Sequence, residues 1–151
     1  MVSPRYRLCA SHDSPLSSLF RIPTKNVRRT ATEILSAIKT TLPANGASSI
    51  TVVGHSLGAA LALLDGLFLF LNLPNTGVRV IGYGMPRVGN QAFANWVDNH
   101  LDLTHINNRE DLIPILPGEF LGFHHASGEV HITDSGTWES CPGKSPSLPW
   151  A

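Results

Sequence analysis

Hydrophobic positions along this chain switch between two periods, and the switches mark its elements. Residues 1–26 carry no clean period and read as an irregular segment. From Asn26 onward Ala31, Leu35, Ile38 and Leu42 recur at helical spacing, and Thr30 with Glu33 fits a capping box or an early exposed turn. Pro43 is expected to end that helix, and "ANGASS" to turn the chain. "ITVV" (50–53) is a short β-branched run and predicts a buried strand. An apolar stretch from Leu57 follows, closed by "NLPNTG", and predicts a helix. "VRVIGYG" (78–84) reads as a second buried strand. "GNQAFANWVDNH" places Phe93, Trp96, Val97 and His100 on one helix face with Asn90 as its cap. "LTHIN" (103–107) and "GEVHIT" (128–133) are further strand candidates, and "CPGKSPSLPWA" reads as a loose tail. No internal repeat is visible.

Helix, strand, helix, strand, helix, strand is the alternation of an α/β fold with a mostly parallel sheet covered by helices. In such folds functional loops gather beyond the carboxyl ends of the strands. Ser56 in "GHSLG" lies there, just after "ITVV". A G-x-S-x-G turn is needed where a strand bends abruptly into a helix with the serine at its apex. Gly54 and Gly58 are expected to spare the turn a backbone collision. A chain of this length meets the five-residue pattern by chance about one time in twenty, and a flanking strand and helix make coincidence several-fold rarer. Ser56 is therefore a candidate nucleophile. Leu57 N–H, at the start of the following helix, is a candidate oxyanion donor. Asp111 follows the "LTHIN" strand and comes after Ser56, as the Ser…Asp…His order of this architecture requires. By its surroundings alone, "NNRED" would also make it an ordinary solvated aspartate.

Composition narrows the classes. The 151 residues carry eleven basic and eleven acidic side chains and a 42% hydrophobic share, so the chain is globular. Nothing in that balance favours nucleic acid or an anionic membrane. The longest apolar stretch, residues 57–73, is interrupted by Asp65 and Asn72 and falls short of the ~20 residues of a spanning helix. No transmembrane segment is expected. The Phe68, Phe70 and Leu71 cluster reads as core under the sheet rather than an acyl-binding wall. The first twenty residues lack an apolar run of signal-peptide length. His124, His125, Glu129 and His131 in "HHASGEVH" invite a zinc reading, yet no helix fixes their spacing; no metal and no cofactor are expected. Cys9 has no motif that would make it a nucleophile, and whether it pairs with Cys141 stays open.

"GHSLGAALALLD", "GYGMPRVGNQAFANWVD", "NNREDLIPILP" and "GFHHASGEVHI", in this order, resemble the fungal class 3 lipases, with a basidiomycete flavour, from about Thr30 to Gly143. The resemblance implies an α/β-hydrolase fold, Ser56 as nucleophile and Asp111 as triad acid. It also implies triacylglycerols or related carboxylic esters as substrates, met at a lipid–water interface, and a secreted habit. It divides the chain into an irregular segment 1–26, a partial lipase-like domain 27–143 and a tail 144–151. In the family the histidine of the "GF-x-H" block is not the base, which comes from a later loop with an Asp-His pair. His124, His125 and His131 are accordingly expected to be structural, and this sequence shows no such later loop. Relatives also carry strands, a lid and a second oxyanion donor ahead of the first helix, and "LFRIPTKN" does not read as their equivalent. "ITVV" is then expected to leave an exposed edge. Cys141 would pair with a cysteine beyond Ala151.

Two readings follow. One is a lipase-type ester hydrolase whose triad histidine lies outside this sequence. The other is an inactive, truncated relative that binds lipid or stems from an incomplete gene model. Loss of a triad histidine costs on the order of 10⁶ in turnover, so the 151 residues alone are expected to be close to inert. Acyl preference and oligomeric state are not written in the sequence.

Overall fold

A computed structural model of the chain describes residues 24–141. Helix α1 (Thr24–Ala44) leads into β1 (Ser49–His55), α2 (Leu57–Asn72), β2 (Gly77–Tyr83), α3 (Gln91–His100) and β3 (Asp102–Asn108). A single 3-10 turn (Glu119–Leu121) precedes β4 (Glu129–Ile132) and β5 (Trp138–Cys141). The sheet order is β1-β2-β3-β4-β5; the first four strands run parallel and β5 returns antiparallel to β4. The α/β-hydrolase architecture is thus present, with β1 as one edge of the sheet among the described residues.

Several local expectations need correction. Helix α1 starts at Thr24, so a boundary between residues 26 and 27 cuts its first turn. The polar stretch "TKNVRR" has no apolar period to announce a helix. Thr30 and Glu33 then sit inside the helix rather than at its cap, and Glu33 pairs with Arg29 at 2.8 Å one turn earlier. Pro43 lies within the last turn, one residue short of the helix end. Strand β5, "WESC", was not foreseen; four mostly exposed residues become a strand only by pairing with β4. Residues 1–23, with Cys9, and the tail 144–151 lie outside the described residues.

Other expectations hold. Asn90 caps α3 by accepting from the Phe93 N–H at 3.0 Å. Val97 is fully buried and Phe93 and Trp96 are partly so, while His100 stacks on Trp96 with ring centroids 4.2 Å apart. In α2, Leu63 and Leu69 are core and Phe68 and Phe70 are half-buried against it, but the expectation of a core position is corrected at Leu71, which faces solvent at the end of the helix.

The three helices share one side of the sheet. Gly66 of α2 lies on Val80, Ala59 lies beside Gly82, and Trp96 of α3 packs edge-on against Phe70 of α2. Ile38 and Leu42 of α1 line a shallow groove with Ile50. Val80 and His105 are fully buried on this side, with Val78 and Leu103. The alternate residues Val53, Ile81, Ile106, Val130 and Ile132 take no part in that core, and Val53 is 58% exposed. Among the described residues the flanking helices all lie on this one face of the sheet. No described helix is long and apolar enough to cross a membrane.

The α2–β2 approach is set by a missing side chain. A Cβ on Gly66 would lie 2.3 Å from Cγ2 of the fully buried Val80. Gly66→Ala is expected to cost about 1–3 kcal/mol by urea unfolding, although alanine is favoured in helices by ~1 kcal/mol. Adding Val80→Ala should recover part of that loss, because the two changes share one contact.

Candidate active site

Ser56 joins β1 to α2 with φ 54° and ψ −128°, a backbone region that favours glycine and costs about 1–3 kcal/mol for another residue. Its N–H donates to Tyr83 O at 2.9 Å, and its carbonyl accepts from Ala59 N–H at 2.9 Å. The hydroxyl makes no cap bond to the helix, so it is not consumed in holding α2. Leu57 is the first residue of α2, where backbone N–H groups have no intrahelical acceptor and carry the positive end of the helix dipole. Ser56 thus stands at a strained strand-to-helix apex, half-exposed, beside free donors.

The two glycines around it differ. A Cβ on Gly54 would lie 2.2 Å from Gly58 O and 2.7 Å from Ala59 N, so this position must be bare. A Cβ on Gly58 would meet nothing within 4 Å. The expectation that both glycines avoid collision therefore holds only for Gly54; what matters at Gly58 is its backbone, against which Gly54 closes.

Asp111 sits three residues beyond β3. Its N–H donates to Asn108 O at 3.1 Å, and its Oδ1 accepts from Ile113 N–H at 3.0 Å, closing a tight side-chain turn. Its other oxygen lies against Gly84: a Cβ there would be 2.8 Å from Asp111 Oδ2, and φ at Gly84 is +53°. Gly84 N–H donates to Ile106 O at 2.8 Å. The carboxyl end of β2 consequently has Ser56 on one side, tied to Tyr83, and Asp111 on the other, seated on Gly84.

The histidines point elsewhere. His124 N–H donates to Gly89 O at 2.8 Å in an isolated bridge. His125 is buried, donates through Nε2 to Pro114 O at 2.7 Å and stacks on His105 with centroids 4.8 Å apart. His131 on β4 has Nδ1 3.9 Å from Glu129 Oε1. Among the described residues no histidine hydrogen-bonds to Ser56 or Asp111, and no group of three acidic, histidine or cysteine side chains is arranged to hold a metal.

Behind the site lies a buried polar layer whose Arg87, His105 and Asn107 no motif singles out. Arg87 (8% exposed) and His105 (fully buried) belong to it, with Asn107, whose Nδ2 donates to Glu129 Oε1 at 2.9 Å. Arg87 Nη2 is 3.3 Å from Glu119 Oε1. Burial pulls the Arg87 pKa down and Glu119 and Glu129 pull it back up. Burial also lowers both histidines, His125 to about 3, with His105 and Arg87 adding to the effect. A lone arginine in the apolar run "YGMPRVG" was the available signal.

A family model described as lipase (class 3) matches residues 10–121. The chain belongs to the class 3 lipase family. The match takes in residues 10–26, a stretch without periodicity. This class 3 lipase chain is 42% identical over 101 residues to a secreted mono- and diacylglycerol lipase of Malassezia globosa, covering 64% of this chain and 33% of that protein. It is 43% identical over 100 residues to another of Malassezia restricta, covering 63% and 33%. Its fold superposes on lipase II from Rhizopus niveus with a TM-score of 0.75 at 26% identity, covering 82% of this chain and 49% of that one. For the Rhizomucor miehei lipase–propeptide complex the TM-score is 0.67 at 30% identity, covering 76% and 39%. The chain spans about a third of the length of the curated relatives it matches.

Gly54→Ala is expected to distort or unfold the β1–α2 turn, whereas Gly58→Ala should unfold at the same urea concentration as the parent or slightly higher. For His125, the unfolded chain takes up a proton near pH 6.5 while the folded chain resists until about pH 3. Stability is therefore present above pH 6.5 and declines below it, by about 1.4 kcal/mol per pH unit. Urea midpoints measured from pH 7 to 4 should fall less steeply in His125→Gln.

Proposed function

We propose that this protein is a serine ester hydrolase of the lipase type, acting on acylglycerols or related carboxylic esters. The backbone of Ser56 carries the reading: a serine held at positive φ at the start of a helix, with its hydroxyl uncommitted. Ser56 Oγ attacks the ester carbonyl, and Leu57 N–H, at the positive end of α2, donates a hydrogen bond to the developing oxyanion. Asp111, on the far side of Gly84, orients the imidazole that takes the serine proton and returns it to the leaving alcohol. We read that imidazole as coming from outside the 151 residues; the bond of His125 to Pro114 and the pairing of His131 with Glu129 support this reading. The relatives are named as secreted mono- and diacylglycerol lipases, which supports this substrate class and an extracellular location.

The test is hydrolysis of p-nitrophenyl butyrate by residues 1–151 and by the same chain extended with the segment that follows the matched region in the Malassezia globosa relative. The extended protein should show turnover that Ser56→Ala abolishes and Asp111→Asn lowers on the order of 10⁴-fold. The unextended chain should match its own Ser56→Ala control. Ser56-dependent turnover by the unextended chain would hand the base to His124, His125 or His131. A folded but inert extended protein would favour the second reading, a lipid-binding relative without catalysis.

A further inference from the structure

Between Asp111 and the 3-10 turn runs the segment Leu112–Gly118, and its two ends are held by different means. At its start the main chain does the work: Arg109 N–H donates to Ile132 O at 2.7 Å and Asp111 N–H to Asn108 O at 3.1 Å. Beyond Ile113 the strand ladder is gone, and Pro114 and Pro117 have no N–H to offer. Four successive carbonyls, those of Pro114, Ile115, Leu116 and Pro117, nevertheless have donors. Arg87 supplies three of them. Its backbone N–H donates to Leu116 O at 2.8 Å, and Nη1 donates to Ile115 O and, at 3.1 Å, to Pro117 O. His125 supplies the fourth, Nε2–H to Pro114 O at 2.7 Å.

Both donors are built for the purpose. Arg87 follows β2 beside the core and is buried, and its planar fork reaches the carbonyls from Nη1 and the Glu119 carboxylate from Nη2 in a fixed geometry, where a lysine would offer a single nitrogen. A carbonyl only accepts, so His125 must carry its proton on Nε2. The stack on His105, whose own Nε2 donates to Ala126 O at 3.1 Å, fixes the ring plane. Burial keeps the imidazole neutral far below its ordinary range.

We propose that Arg87 and His125 are positioning residues for the reaction: by holding the Pro114–Pro117 carbonyls they fix the loop whose first turn carries Asp111, and so hold that carboxylate against Gly84. The catalytic part of this inference rests on Asp111 being the triad acid; the mechanical part does not. Neither side chain touches Ser56, and both act through the loop.

Amide hydrogen exchange on residues 1–151 separates the two parts. The reporter is Ile113 N–H, bonded to Asp111 Oδ1 at 3.0 Å. In His125→Leu and Arg87→Met its exchange should quicken roughly tenfold or more, while the Val80 and His105 amides in the sheet keep their protection. His125→Gln, which restores a donor, should return Ile113 to near the parent rate. Unchanged Ile113 exchange would overturn the proposal, and so would equal acceleration of loop and sheet amides. If Arg87→Met does not fold, His125→Leu decides by itself, because it removes a single bond at the loop's edge. If that variant also fails to fold, the pair holds the core rather than the loop, and the proposal falls. In the Ser56-dependent ester assay, His125→Leu should lower kcat about 10- to 100-fold with KM little changed. That assay is made on the extended protein, and absence of any Ser56-dependent activity in the extended parent would sink the reading of Asp111 as acid while leaving the exchange result standing.

Discussion

Gly54 packs directly on the backbone of Gly58 and Ala59. It sets how near α2 can come to the sheet, and the remainder of the contact follows the same rule. Gly66 lies on Val80 and Ala59 on Gly82, so at these points, where α2 carries little or no side chain, the helix rides directly on the sheet. That closeness forces the chain to reverse within one residue between β1 and α2, and Ser56 absorbs the reversal in its φ and ψ. The backbone strain at the candidate nucleophile is thus a product of packing over the whole of α2, not of the turn by itself.

A second layer works with the first. The sheet positions that face the helices become polar toward β3 and β4: His105, Asn107 and Glu129 follow Val80 and Leu103 across the register. Arg87 Nε, His105 Nδ1 and Asn107 Oδ1 are buried without a partner among the described protein groups. A purely apolar layer would leave fewer such atoms. It would also leave the carbonyls of Pro114–Pro117 without donors in a segment that cannot form a ladder. The polar layer is the complement of that segment.

What the sequence disclosed followed from range. Ser56 was legible because its strand, its glycine and its helix lie within ten residues of each other. Asp111 was not: "NNRED" looks like any polar turn, and only resemblance over the longer pattern raised it. Gly84, Arg87 and His105 act on residues 21 to 32 positions away, and no local period marks such contacts. The β-branched run "VRVIGYG" read as a buried strand, and parallel strands usually have both faces covered. Here Ile81 and Ile106 lie on the side the described helices leave uncovered. α1 began earlier than its pattern because the stretch "TKNVRR" is polar in sequence and carries no amphipathic spacing.

The unequal glycines of "GHSLG" bear on how such sites are recognised at all. A five-residue pattern treats its two glycines as one requirement, yet only the first is imposed by space in this turn. An alanine at the second place would leave strand, apex and helix as they are, while removing the chain from any search that insists on the full pattern. Relatives with that substitution would be filed as lacking a nucleophile although their backbone still presents one.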